Sequence, residues 1–160
     1  MSLHTFFDFA NLFFAGILAG IEIGIHYGVG APPKVLSEKS QIQLRQSMSL
    51  KLRVLVPAFF VLTTLSAITI TVLHSASPGL WFRCAGLLAA LTWIILRVIG
   101  TVPINSASHT WDVEAPPKDW RSRVERVERA ELFHIYGTWA AIAIFALFLI
   151  ATAVETGALR

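Results

Sequence analysis

The chain has 160 residues, of which 55% are hydrophobic and 14% charged, and it carries a formal charge of +3. Soluble domains carry roughly 25% charged residues, so this composition excludes an ordinary water-soluble fold, and its hydrophobicity excludes a disordered chain. The small basic excess, with no basic stripe interleaved with aromatics, excludes nucleic acid as a partner, and the single Cys84 excludes a disulfide framework or a cysteine-based metal site within one chain.

A membrane-spanning helix needs about 20 predominantly apolar residues. Four stretches qualify, and they predict an all-α integral membrane four-helix bundle forming one domain over 1–160, with helices at about 9–29, 54–73, 79–102 and 132–154. Because hydrocarbon leaves no water to satisfy backbone groups, these stretches read as helices joined up and down. The first holds Glu22 and His26. It lacks a basic leader, carries Asp8 and exceeds the length of a signal-peptide core, so it reads as a retained helix. Gly16, Gly20, Gly24 and Gly28 recur along it, a stripe that admits close backbone approach, either inside the bundle or in a homo-oligomer. The stripe lies about 200° from Glu22 and His26.

The following loop, Ala31–Arg53, holds Lys34, Lys39, Arg45, Lys51 and Arg53. Its Ser37–Lys51 portion has the pattern of a surface-lying or helix-extending segment. The second spanning segment is uncharged, with Pro57 expected in its first turns, where a missing N–H is tolerated. The third carries Arg83 near its start, expected to snorkel to the interface, and Arg97 near its end. Trp81, Trp93 and Trp139 suit core or interfacial-belt positions.

The loop after the third segment holds Lys118, Arg121, Arg123, Arg126 and Arg129, and Trp120–Glu131 reads as a solvated helix extending the fourth span. The basic residues of both long loops lie on one side, so the positive-inside rule predicts cytoplasmic loops and outside termini, in a bacterial inner membrane.

Up-down topology then gathers Glu22, His26, Arg53, Arg97, Asn105, His109, Asp112, Glu128, Glu131 and His134 at the cytoplasmic end, and predicts that the opposite half is almost purely apolar, with His4 and His74 incidental. Glu22/His26 are spaced i,i+4 and Glu131/His134 i,i+3, so each pair shares a helix face. An acid and a histidine on each of two antiparallel helices resembles the ligand stripes of metal-binding bundles, so Glu22, His26, Glu131 and His134 are candidate ligands for Fe, Cu, Mn or Zn. Alternatively His26 and His134 are axial haem ligands. In a third reading Glu22 and Arg97 form an internal ion pair with no chemistry. Unpaired, Glu22 would cost roughly 2.5–3.5 kcal/mol at depth.

Pro103-Ile-Asn105, Trp111-Asp-Val-Glu-Ala-Pro-Pro-Lys-Asp-Trp120 and Arg129-Ala-Glu-Leu-Phe-His134 resemble the anthrone-oxygenase-like family of small four-helix membrane proteins. Ile135-Tyr136-Gly137 stands where members often carry an arginine. The resemblance implies O2-dependent oxidation of a lipophilic aromatic substrate, anthrone- or quinol-like, with Asn105, Trp111, Trp120 and His134 at the site. Glu22, His26, His134, Asn105 and Arg97 are then the expected catalytic residues, with Arg53, His109, Trp111 and Trp120 around the substrate. The expected cofactor is one of these metals, or none beyond O2. The remaining class is a small transporter or assembly partner using the same polar residues as a relay.

Overall fold

The computed structural model describes residues 3–29, 36–119, 122 and 131–158. The described residues form an all-helical, membrane-spanning four-helix bundle. Helix α1 (Leu3–Ile23) continues into a π-helical segment, Gly24–Val29. Helix α2 is Glu38–Leu73. Helix α3 (Leu80–Leu96) passes through a second π-helical segment, Arg97–Thr101, into the short α4 (Val102–Ser108). Helix α5 is Glu131–Glu155.

The principal departure from the sequence expectation is α2. The span expected at 54–73 is the second half of one continuous helix of 36 residues, about 54 Å long at 1.5 Å per residue, against a hydrocarbon core of about 30 Å. Of the two expectations for Ser37–Lys51, helix extension is the one observed. Ser37 caps the new start by accepting the Ser40 amide at 3.2 Å. Pro57 is therefore a mid-helix proline, not an N-terminal one, and the Arg53 carbonyl loses its intrahelical donor. The α1 span likewise begins earlier than expected, at Leu3. The helix expected over Trp120–Glu131 lies almost wholly outside the described residues.

The core is Ala15, Leu18, Ala19, Ala67, Ile70, Ala90, Trp93, Ala141, Ile144 and Phe148. Small residues four apart set the close approaches: Ala15/Ala19 on α1, Gly86/Ala90 on α3 and Gly137/Ala141 on α5. The tightest seam is α3 against α5. A Cβ on Gly86 would lie 2.6 Å from the Phe148 ring, and one on Gly100 2.8 Å from Phe133 Cβ. The glycine stripe of α1 is not the equivalent device. Gly16 meets Phe145, but a Cβ on Gly20, Gly24 or Gly28 would meet nothing within 4 Å. The buried face of α1 runs instead through Asn11, Ala15, Leu18, Ala19 and Glu22, and the other three glycines face out of the bundle.

Helix α1 packs extensively on α2 and α5, and α5 on α3, whereas α2 and α3 meet least. The bundle is thus closed on three seams and loose on the fourth. There the Phe60 and Trp93 rings stack with centroids 4.5 Å apart, and between them and the long loops the seam widens into a cavity.

Candidate functional site

That cavity measures about 810 Å³, inside the range that holds drug-sized ligands, and residues of α1, α2, α3, α4 and α5 line it. Its polar lining includes Glu22, His26, Arg53, Arg97, Asn105, His109 and His134, all anticipated from sequence, together with Arg45, Ser49 and Thr101. Both π-helical segments border it, supplying His26 on one side and Arg97 and Thr101 on the other. A π turn inserts one residue into the helical register and re-aims the side chains after it.

A buried network crosses one wall. Glu22 is 1% exposed. Its Oε1 accepts the Trp93 indole N–H at 3.1 Å, and its Oε2 pairs with the Arg97 guanidinium. Arg97 Nη1 donates to His134 Nδ1 at 3.1 Å and to Thr101 Oγ1 at 3.3 Å, and the guanidinium carbon lies 5.5 Å from the Trp93 ring centre. Glu22 is therefore a counter-ion with both oxygens engaged, as the ion-pair reading anticipated. Arg97 and Trp93 together hold it at membrane depth without an unpaired charge.

The same network determines what His134 can do. Arginine only donates, so His134 Nδ1 must accept, and the neutral ring carries its proton on Nε2. His134 then presents an N–H donor, not a lone pair. His26, set against Tyr27 at 4.5 Å between ring centroids, makes no hydrogen bond to another described residue.

Among the described residues, Glu22, His26 and His134 do not fit the metal or haem expected of them. The ligand atoms of Glu22, His26 and His134 do not gather within 4.8 Å of one another. Glu22 is committed to Arg97 and Trp93, and the His134 tautomer leaves no lone pair for an axial bond. The Glu131 side chain and Trp120 lie outside the described residues.

One further expectation is corrected. Trp111 does not line the cavity: it is buried against Ile42 and Val113. Gln46 Nε2 donates to the carbonyls of Ser108 and Trp111, both at 2.9 Å, strapping the loop to α2. Asp112, gathered at the same end by the topology, is exposed and accepts the Glu114 amide at 2.9 Å in a local turn, outside the cavity lining. His109 does line it, with Nε2 3.1 Å from Ser49 Oγ.

The opposite half of the bundle is not almost purely apolar, and Arg83 does not snorkel. Arg83 is 0% exposed. Its Nη2 donates to Asp8 Oδ1 at 3.2 Å and Glu155 Oε2 at 2.6 Å. His74 sits with Nδ1 3.1 Å from Glu155 and Nε2 3.6 Å from Asp8, 3.3 Å from His4 Nδ1. Ser77 donates to the other oxygen of Glu155. Asp8, His74 and Glu155 are close enough to share an ion, but Arg83 already holds both carboxylates. The cluster ties α1, α3, α5 and the end of α2 at one point. The up-down topology that grouped the other polar residues also places Asp8, His74, Arg83 and Glu155 on one membrane face, and that was the available signal. A second interior clip, Asn11 Nδ2 to the Thr63 carbonyl at 3.3 Å and Ser66 Oγ at 3.2 Å, joins α1 to α2.

Comparison of the chain with family models, curated proteins and solved structures found no match.

Proposed function

We propose that this chain is a membrane-embedded oxygenase or oxidoreductase acting on a lipophilic aromatic substrate of the anthrone or quinol type, at the end of the bundle that faces the cytoplasm of a bacterial cell, with both termini outside. One observation carries the reading: a cavity of about 810 Å³, mostly apolar and set on the loosest seam of the bundle, has in its lining His26, an imidazole with no hydrogen bond to another described residue, and a guanidinium–imidazole pair, Arg97 and His134. The resemblance in the Asn105–His134 stretch points to the same chemistry.

A substrate drawn from the lipid enters through the α2–α3 seam. His26 removes a proton from the activated C–H or O–H, as a general base within reach does. The His134 Nε2–H, with Arg97 behind it, stabilises the enolate or phenolate oxygen that develops, and Asn105 supplies a further polar contact. The electron-rich anion is then oxidised by O2. For an anthrone, the ring CH2 loses two hydrogens and gains one oxygen atom, and the other oxygen atom leaves as water. Glu22 holds Arg97 in place and takes no proton.

The test follows quinone absorbance and O2 consumption with purified protein and an anthrone, against the spontaneous rate. The wild type is expected to accelerate the reaction, and His26→Ala to reduce that acceleration by about 100-fold or more while the protein still purifies folded. No acceleration by the wild type, or full activity in His26→Ala, would overturn the proposal.

A further inference from the structure

We propose that the ligand of this cavity is an amphiphilic organic acid, seated with its anionic oxygens at Arg53 and its apolar body against Val56, Phe60 and Trp93. The proposal rests on the reading of the cavity as a ligand site and extends it to the chemical class of the ligand.

The shape comes from α2. Leu44/Arg45, Met48/Ser49, Leu52/Arg53, Val56/Pro57 and Phe60/Val61 all line the cavity. Adjacent pairs repeat every four residues, so a single face of the helix walls it over about 25 Å. Polarity is graded along that wall. At the Phe60 end the α2 wall is apolar and faces Trp93 and Ile94, with the Glu22–Arg97 pair beside Trp93 closed on itself. At the other end stand Arg45, Arg53 and the Ser49–His109 pair. An α2 wall that is apolar at one end and carries arginine at the other fits an amphiphile in one orientation.

The charge balance gives the sign of the head. Among the described residues that line the cavity the one carboxylate is Glu22, and Glu22 is consumed by Arg97. Arg53 makes no ion pair with another described residue. A cationic cleft with low-dielectric walls concentrates anions, and the planar guanidinium matches a carboxylate through two parallel hydrogen bonds. An aromatic substrate that carries an acidic group offers Arg53 that charge, so the acid-bearing members of the proposed substrate class are the ones selected.

The register sets the distance to the reacting end. The α3–α4 rod runs antiparallel to α2, with Trp93 level with Phe60 and His109 level with Ser49. Arg53 therefore lies beyond Arg97 toward the long loops by about one helical turn, roughly 5–6 Å. A bound acid places its carboxylate or acidic phenolate there and its ring beside Arg97, His134 and His26.

The test uses the full chain in nanodiscs of zwitterionic lipid, with oleate, oleyl alcohol and an anionic phospholipid as probes competing for a fluorescent fatty acid. Oleate is expected to bind at least tenfold more tightly than oleyl alcohol, the gain of one charge-assisted contact. Arg53→Gln should remove that preference while leaving the alcohol's affinity in place. Val56→Trp should weaken both probes. Equal affinity for acid and alcohol in the wild type, or an acid preference that survives Arg53→Gln, overturns the proposal. Binding confined to the phospholipid also overturns it, because the site then reads a bilayer headgroup. Acid binding without anthrone oxidation would remove the proposed reaction and leave this inference standing, and the reverse result would do the opposite.

Discussion

At the scale of single residues, the clearest contrast is between Glu22 and His26, which lie i,i+4 on the same helix and which sequence alone treats as equivalent candidates. Helix α1 is regular through Ile23, so Glu22 points into the core, where Trp93 and Arg97 take both its oxygens. The π-helical register then begins and delivers His26 to the cavity without a hydrogen bond to another described residue. Removing one partner of a buried pair leaves an uncompensated charge. Glu22→Gln is therefore expected to destabilise the protein by about 3 kcal/mol or more in detergent, read by thermal unfolding. The double change Glu22→Gln with Arg97→Met should recover much of that loss. If Glu22→Gln unfolds with the wild type, the pair contributes nothing to stability. Arg83 makes a parallel case at the other end. Arg83→Met leaves Asp8 and Glu155 facing each other without their shared cation, and a loss of about 3–5 kcal/mol is expected. Lys, a point charge without the guanidinium fork, should rescue only part of it.

At the scale of helices, two glycine patterns look alike in sequence and behave oppositely in the fold. On α3, Gly86 is in contact with the Phe148 ring, and no Cβ fits without moving it. Gly86→Leu should break the α3–α5 seam and give protein that aggregates on extraction. On α1, Gly20 has open space around it. Gly20→Leu should leave the unfolding midpoint of the bundle within a few degrees of the wild type, and size analysis of that variant shows whether the outward stripe pairs two copies. The distinction was not legible in the sequence, because a glycine spacing of four states only that a backbone can approach, and the approaching surface comes from a helix far along the chain. The length of α2 was legible in part. Ser37–Lys51 has helical character, but what makes it one rod with the membrane span is its packing. His109 reaches Ser49, Gln46 holds the Trp111 loop, and Ile42 is buried under Trp111.

At the scale of the whole molecule, the proposed orientation has its own measurement. Reporter fusions at Lys39 and Arg123 should read out as cytoplasmic, because Lys and Arg concentrate in the first half of α2 and in the segment between α4 and α5. A periplasmic signal at either would reverse the molecule and place the cavity at the outer face. Composition and hydrophobic run length determined by themselves that this is a four-helix membrane protein, since the cost of unsatisfied backbone in hydrocarbon leaves no other solution. Chain order then determined which polar residues share an end, because antiparallel neighbours of similar length bring alternate loops together. That reasoning correctly gathered Glu22, His26, Arg97, Asn105, His109 and His134, and applied to the other face it would have gathered Asp8, His74, Arg83 and Glu155. Only the tertiary structure decided which of these are engaged and which are free. Rotation about each helix axis is set by side-chain packing across seams between distant segments, and a π turn shifts the register within a single helix. Hydrogen-bond partners at 3 Å depend on those rotations, so the division between the Trp93–Glu22–Arg97–His134 network and His26, which bonds no other described residue, exists only once the four helices are packed.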